Sequence, residues 1–441
     1  MSKQIKRRFI IGIIIAVVII GPEVFVKLRL HSAKTTVNSQ IAEMRMKGRP
    51  VSVDDFKAAK IPDDRNAAII YEKIFKLLGP EMKSDTKTFA DFISPMKQNR
   101  SPALLSKVKQ AAARYHNIMS LLKEAGSKPD CSFVYTWTGD PPQNLKYFGT
   151  LRFVNRMTCS IAIPDSKEGR YEQALWNVGM AFKLSESMKH EPSVIGQLQR
   201  LAMIETSSST LRELTDCIGT KEASLRRLYD LLSKIDLNPG LITGLEGETA
   251  AGIDFYNKYQ ASIKPKLLSG LGWFMKQLES ARTYRDESYF LSYMNICIDA
   301  AHSPYRDLKG KRTNFPKAPG YHAWSDTLIP TFGGIWKKRD SGIAEINGSQ
   351  ILLALKAYQT RYGAYPANLN ELRNRLEWII PLDPFSGKDF VYKTNGKGFI
   401  LCSLGPDLKD NGGTPLVHGY YSDPKVAASQ KAYDIVWQSE R

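Results

Sequence analysis

The chain has 441 residues, 43% hydrophobic and 10% aromatic, which is enough to build the cores of two or three domains and excludes a disordered protein. The five cysteines are scattered, odd in number and without a C-x-x-C pair, which excludes a zinc-finger site and a disulfide framework. The formal net charge is +18.

The positive charge is concentrated in the middle of the chain. Lys27 to Asp340 carry 47 basic and 33 acidic residues, whereas the residues from Ser341 onward carry 11 and 10. Such a surplus is typical of a solvated surface. The alternative is an acidic partner such as anionic lipid, acidic polysaccharide or nucleic acid.

The N-terminus has the pattern of a signal peptide or a membrane anchor. Four basic residues precede an apolar run from Phe9 to Ile20, and no good small-x-small cleavage site follows. We therefore predict that residues 1–30 are an uncleaved signal anchor with a transmembrane helix. Because bases before a span stay in the cytoplasm, the body after Lys27 is predicted to lie outside the inner membrane, in the periplasm.

Residues 31–303 are predicted to form a basic α-helical domain, an irregular bundle or solenoid. Apolar residues recur there at helical spacing, and Gly-Pro and Asn-Pro-Gly steps separate the segments. The predicted helices are Asp64 to Leu78, Pro102 to Ala125, Leu145 to Ile163, Tyr171 to Lys189, Val194 to Leu214, Lys221 to Ile235 and about Glu287 to Ala301.

This region contains no catalytic motif that we recognise: no G-x-S-x-G, no H-E-x-x-H, no phosphate loop and no dinucleotide fingerprint. The six histidines lack metal-ligand spacing. Glu246 and Glu248 lie two residues apart, which puts them on different sides of a helix. We therefore predict a solvated acidic turn rather than an acid/base pair, and a protein that is not an enzyme.

Residues 304–340 are rich in proline, glycine and basic residues beside Trp324 and Trp336. This composition predicts an inter-domain connector with docked aromatic residues. Basic residues interleaved with aromatic ones also suit single-stranded nucleic acid, but the predicted extracytoplasmic location argues against a nucleic-acid partner.

The last segment, 341–441, predicts a small α+β domain in which one long helix packs on a three- to four-stranded antiparallel sheet. Apolar residues from Ala344 to Tyr362 repeat at steps of three or four, and Gly363 follows where a helix end favours positive φ. Two β-prone runs flank Asn395-Gly396, a strong hairpin signal. Another strand-like run, YDIVW, closes the pattern.

The order helix, YGAYP, LDPFSGK, hairpin, SLGPDLKDNGG and DIVW resembles the globular domain of the major pseudopilin of type II secretion systems. The resemblance covers less than a quarter of the chain. Some 315 residues lie between the predicted anchor and the matching helix, which argues against a role as the major pilus subunit.

In that family the glycine-rich loop binds calcium, so the resemblance implies a calcium site here. Asp407 and Asp434 match ligand positions of the family, and a backbone carbonyl near Leu401 or Leu404 and the hydroxyl of Ser403 are further donors. Asp410 and Asn411 join the candidate set because they are near in sequence, and calcium takes six to eight oxygen ligands. The alternative is that Asp407 caps a turn and Asp434 bonds its own loop.

The resemblance implies an interaction or scaffold role in a secretion or pilus-like envelope system, with envelope proteins and the inner membrane as partners. The alternative function is an extracytoplasmic binding protein whose basic helical domain holds an anionic polymer or a lipid surface.

Overall fold

The computed structural model describes residues 3–56, 61–94, 100–133, 141–214, 221–265, 270–310, 318, 324–329, 334–415 and 433–439. These residues are mainly helical, as the sequence predicts, and carry one small antiparallel sheet. The helices are α1 (Lys3–Met46), α2 (Ala68–Leu77), α3 (Met82–Ile93), α4 (Pro102–Arg114), α5 (His116–Ser127), α6 (Pro141–Lys167), α7 (Tyr171–Glu186), α8 (Val194–Leu214), α9 (Glu222–Leu232), α10 (Asn238–Ser262), α11 (Gly270–Ala301), α12 (Tyr305–Leu308), α13 (Ser325–Leu328), α14 (Ile335–Tyr362) and α15 (Leu369–Leu376).

The predicted transmembrane helix is wrong. Within the part of the chain that the structure describes, no helix combines the length and the apolar character needed to cross a membrane. The N-terminal segment instead belongs to α1, a helix of 44 residues that continues to Met46. Its C-terminal half packs along α11, so the helix is one side of a helix pair.

The first hydrophobic core lies among α2 to α9 and extends to the C-terminal sheet. Helix α7 buries the stripe that the sequence predicts, from Ala174 to Phe182, between α6 and α8. Asn155 of α6 is fully buried, and its side-chain amide donates to the carbonyl of Ala181 at 3.0 Å and to Oγ of Ser207 at 3.1 Å. These bonds tie the three helices together, because a buried amide without partners would be costly.

The second core is formed by α1, α10, α11 and the start of α14. Helix α10 contradicts the predicted acidic turn, because Glu246 and Glu248 lie inside this continuous 25-residue helix. Burial raises the pKa of both carboxyl groups, and the amide of Val194 donates to Oε1 of Glu248 at 3.0 Å. Gly247 allows α10 to pack closely against the backbone of Pro192, because a Cβ at position 247 would overlap the carbonyl oxygen of Pro192.

Helix α14 connects the two cores. It starts at Ile335, six residues before the predicted domain boundary, and packs against α8, α9 and the sheet. It ends as predicted at Gly363, which adopts a left-handed conformation with φ of 79°. Helix α14 is buried along most of its length, by the helical region on one side and by the sheet on the other. The helical region and the C-terminal module, residues 341–441, therefore share this helix.

The sheet has the order β1-β2-β3, with strands β1 (Val391–Thr394), β2 (Phe399–Ser403) and β3 (Ile435–Gln438). All pairs are antiparallel; Thr394 pairs with Phe399 across the predicted Asn395-Gly396 turn, and Leu401 pairs with Trp437. The prediction of a long helix on a small antiparallel sheet is confirmed, with three strands in the described residues.

Part of the predicted connector is ordered by a buried ion pair. Arg339 donates through Nε to Asp340 at 2.7 Å and through Nη2 to the carbonyl of Ser303 at 2.7 Å. Asp340 in turn accepts from the amide of Tyr305 at 2.7 Å, which fixes the start of α12. Trp324 is docked as predicted, with its ring 5.1 Å from that of Phe255.

Candidate functional site

The acidic loop, residues 403–415, follows β2, and Asp434 precedes β3 directly opposite it. The amide of Asp434 donates to the carbonyl of Thr414 at 2.8 Å, and Asp434 forms a β-bridge with Pro415. The two ends of the predicted calcium site are therefore brought together by the pairing of β2 with β3.

The carboxylate of Asp434 is buried and points into the acidic loop. It accepts from the amide of Gly413 at 2.8 Å and from the amide of Asn411 at 3.1 and 3.2 Å to its two oxygens. Burial raises the pKa of Asp434, while these hydrogen bonds act in the opposite direction. Each oxygen of this carboxylate therefore already has a hydrogen-bond donor.

The side chain of Asn411 connects Asp407 to Asp434. Nδ2 of Asn411 donates to Oδ2 of Asp407 at 2.9 Å and lies 3.4 Å from Oδ1 of Asp434. The other oxygen of Asp407 accepts from the amide of Lys409 at 3.1 Å. Of the six predicted site residues, these three, Asp407, Asn411 and Asp434, are held in one cluster.

The other three predicted residues have separate roles. Asp410 is exposed and accepts from the amide of Gly412 at 2.8 Å. The hydroxyl of Ser403 donates to Oδ1 of Asp383 at 2.6 Å, and Leu401 is a buried residue of β2. The hydrogen bonds described for Asp410 and Ser403 thus go to groups other than Asp407, Asn411 and Asp434.

Asp383 is a residue that the sequence reasoning missed. It is buried and accepts from the amides of Phe385 and Ser386 at 3.1 Å each, from the hydroxyl of Ser403, and from the amide of Leu404 at 3.3 Å. It therefore joins the LDPFSGK turn to the acidic loop. An Asp before Pro in a turn was the available signal, because such carboxylates bond amides that follow them.

A cation from outside the C-terminal module also touches the acidic loop. Lys309, which follows α12, donates through Nζ to the carbonyl of Pro406 at 3.1 Å and to the carbonyl of Asp407. These two carbonyl oxygens thus face an ammonium group.

The described residues fit a calcium ion poorly. Calcium takes six to eight oxygens around one point, and here the candidate oxygens face N–H and O–H donors of the chain. Among the residues that the structure describes, no three His, Cys, Asp or Glu side chains are grouped so as to hold a metal ion. Calcium binding stays a prediction.

A second candidate site lies at one end of the α1–α11 pair. Gln40 donates to Oγ of Ser292 at 2.7 Å, and Arg49 donates to Oδ1 of Asn295 at 2.5 Å. Gln40 and Arg49 meet residues of α11 in the same order along the chain, 246 to 252 positions apart, so the two segments run parallel. Extrapolated along α1 to Phe25, this offset corresponds to residues 271–277 of α11.

Large apolar side chains are exposed at this level on both helices. Phe25 is 54% exposed and Trp273 is 55% exposed. Among the residues from Gly21 onward whose side-chain exposure the structure describes, twelve large hydrophobic residues are exposed, and six of them lie on these two segments. We call this surface the α1–α11 tip; its members are Val24, Phe25, Leu28, Leu271, Trp273 and Met275.

Basic residues outnumber acidic ones in the sequence around the α1–α11 tip. Residues 21–34 contain three basic residues and one acidic residue, and residues 264–276 contain three basic residues and none that is acidic. The guanidinium of Arg29 lies 4.5 Å from the ring centre of Phe25, and the ammonium of Lys276 lies 5.4 Å from that of Trp273. Each exposed aromatic ring therefore has a cation beside it.

Comparisons of this chain with protein-family models, curated proteins and solved structures found no match. The resemblance to pseudopilins consequently stays a prediction from the short motifs of the C-terminal segment.

Proposed function

We propose that this protein is a non-catalytic binding protein that attaches to an anionic lipid surface through the α1–α11 tip. The proposal is carried by six exposed, large hydrophobic side chains, three in residues 24–28 and three in residues 271–275, on two helices that pack against each other and have basic residues nearby in the sequence. Contiguous exposed apolar surface with a polar rim marks a site of interaction with a protein or a membrane.

The apolar part of the α1–α11 tip supplies attraction that does not depend on charge. Aromatic side chains carry about 150–250 Å² of surface, so a half-exposed ring that leaves water gains about 2 kcal/mol at about 25 cal/mol per Å². Trp273 and Phe25 are both in this position. Two such rings contribute about 4 kcal/mol to the free energy of binding, in addition to any electrostatic attraction.

The cations supply the preference for anionic lipid. A basic residue near an anionic membrane surface contributes about 1 kcal/mol. Arg29 and Lys276 lie beside the rings of Phe25 and Trp273, so the rings can enter the headgroup boundary while the charges stay among the phosphates.

The composition of the α1–α11 tip favours lipid over an anionic polymer. Nucleic acid and acidic polysaccharide are bound by basic and aromatic side chains in a groove. Leu28, Leu271 and Met275 are exposed to water, and a polar ligand of this kind would not bury these aliphatic side chains. An acyl-chain boundary is the partner that accounts for these aliphatic residues as well as for the cations.

The proposal is tested with the full-length protein and vesicles that contain phosphatidylglycerol and brominated phosphatidylcholine. Bromine quenches tryptophan only at short range, so we expect these vesicles to quench the emission of Trp273. The Trp273→Phe variant should lose most of this quenching, whereas Trp378→Phe should keep it because Trp378 is buried against Tyr229. Equal quenching in wild type and Trp273→Phe would refute the proposal.

The charge dependence is tested by a double variant, Arg29→Glu with Lys276→Glu. It removes two cations and adds two anions, and we expect binding to anionic vesicles to weaken by at least about tenfold, since each charge contributes about 1 kcal/mol. Lys393→Glu with Lys397→Glu is the matched control, because both lysines are exposed and lie on the distant hairpin. An equal loss in both double variants would mean that only the net charge matters.

A scaffold role in an envelope assembly is a second candidate function. It is supported by the order of the C-terminal elements, in which one long helix carries a three-stranded antiparallel sheet. Crosslinking in intact cells tests it: recovery of secretion or pilus-like envelope proteins would support this role, and their absence would count against it. The location outside the inner membrane stays a prediction.

A further inference from the structure

We infer that the acidic loop is held shut by donors of this chain, with the Lys309 ammonium as its cation, and that this closure needs no calcium. The inference is independent of membrane binding, because it concerns the opposite, C-terminal part of the sequence.

The hydrogen-bond donors around Asp434 and Asp407 belong to this chain and point at the two carboxylates. Three N–H groups, two of the backbone and one of the Asn411 side chain, point at Asp434, and the Asn411 side chain also holds Asp407. A calcium ion would need these same carboxylate oxygens with their lone pairs turned toward itself. Hydrogen bonds to an ionised carboxylate are among the stronger ones, so the loop already has a closed arrangement.

Lys309 lies against the turn at the start of the acidic loop. Its ammonium faces the carbonyl oxygens of Pro406 and Asp407, which belong to the same turn as the amide of Leu408. Leu408 has a positive φ of 62°, a conformation that a residue with a side chain rarely adopts without outside support. The ammonium supplies such support by binding the two carbonyls that this turn directs outward.

The short helix before Lys309 is itself held in place by hydrogen bonds. The amide of Tyr305 donates to the buried Asp340 at 2.7 Å, and Nη1 of Arg306 donates to the carbonyl of Pro384 at 2.8 Å. The first bond holds α12 against α14, and the second holds it against the turn at Pro384 in the C-terminal module. The ammonium of Lys309 is thus positioned by α12, which is hydrogen-bonded to α14. The closed arrangement of the acidic loop therefore depends on the segment that joins α11 to α14.

Hydrogen exchange of the full-length protein, measured by mass spectrometry on peptides that cover the acidic loop, tests the inference. We expect the amides of Asn411 and Gly413 to be protected in the presence of a calcium chelator, and protection to be unchanged in millimolar calcium. Slower exchange of the wild-type loop when calcium is added would overturn the inference.

The role of Lys309 is tested in the same experiment. Lys309→Met removes the ammonium that binds two carbonyls and should speed exchange at Leu408 and Lys409 by at least about tenfold, the loss that about 1.4 kcal/mol for even one charged hydrogen bond would cause. Lys309→Arg keeps a cationic donor and should restore most of the protection. Lys338→Met, which removes an exposed lysine of α14, is the matched control. Unchanged exchange in Lys309→Met would show that this ammonium does not close the loop.

Discussion

The indole ring of Trp437 fills the space that a side chain at position 348 would need. A Cβ built on Gly348 would overlap three carbon atoms of the ring, and Trp437 is completely buried. The guanidinium of Arg212, from α8, lies 5.2 Å from the centre of the same ring and pairs with Glu345 at 2.7 Å. The last strand is thereby locked between α14 and the helical region.

Substitution of Gly348 by Ala should destabilise the protein. The new methyl group would displace the indole ring from a packed site, and overpacking of this kind costs about 1 to 3 kcal/mol. Urea denaturation measures the loss. Gly149→Ala is the matched control, because Gly149 also lies inside a helix but has open space at its Cβ, so its free energy of unfolding should stay equal or rise by up to about 1 kcal/mol. Equal stability of both variants would contradict the packing described here.

Stability should fall as the pH rises because of Glu287. This carboxyl group is buried, and burial raises its pKa from 4.5 to about 8. Below pH 4.5 the group is protonated in both the folded and the unfolded state and contributes no difference. Between pH 4.5 and 8 only the unfolded state loses the proton, so the free energy of unfolding decreases with pH and levels off above 8.

The Glu287→Gln variant should remove this dependence. A neutral amide has no proton to lose, so at pH 7 the variant should be more stable than wild type by about 3 to 4 kcal/mol, because about 1.4 kcal/mol accumulates per pH unit between pH 4.5 and 7. Denaturation at several pH values measures the effect. Glu43→Gln is the control, since Glu43 is an exposed partner of Lys47 and its loss should change stability by less than about 0.5 kcal/mol. Parallel pH profiles of wild type and Glu287→Gln would contradict the prediction.

Asp383 should matter more to the C-terminal module than any of the exposed acids in the acidic loop. Asp383→Ala leaves three amides and the hydroxyl of Ser403 without their acceptor, and we expect a loss of about 2 to 4 kcal/mol because buried donors are costly to leave unpaired. Asp410→Ala removes one exposed bond and should cost less than about 0.5 kcal/mol. Thermal unfolding compares the two, and a larger loss in Asp410→Ala would contradict this assignment.

Several elements could be predicted because their signals are local. Helix α8 runs from Val194 to Leu214 as expected, and Gly363 and Asn395-Gly396 stop a helix and turn a hairpin because these residues tolerate positive φ. The sequence failed where two short signals compete. The helix predicted from Pro102 breaks at Tyr115 into α4 and α5. The spacing of Glu246 and Glu248 suggested an acidic turn, but both lie in α10, which packs closely against Pro192 and Ser193.

Local signals were enough to predict the helical character of the chain, the small antiparallel sheet and the acidic loop after β2, because periodicity and turn residues act over a few positions. The partners of those residues follow from the packing of whole elements. That packing set α1 beside α11 across some 250 positions, brought Lys309 to the carbonyl of Pro406, and joined Asp383 to Ser403. Contacts of this kind depend on how whole helices pack, and the spacing of residues along the chain does not encode them.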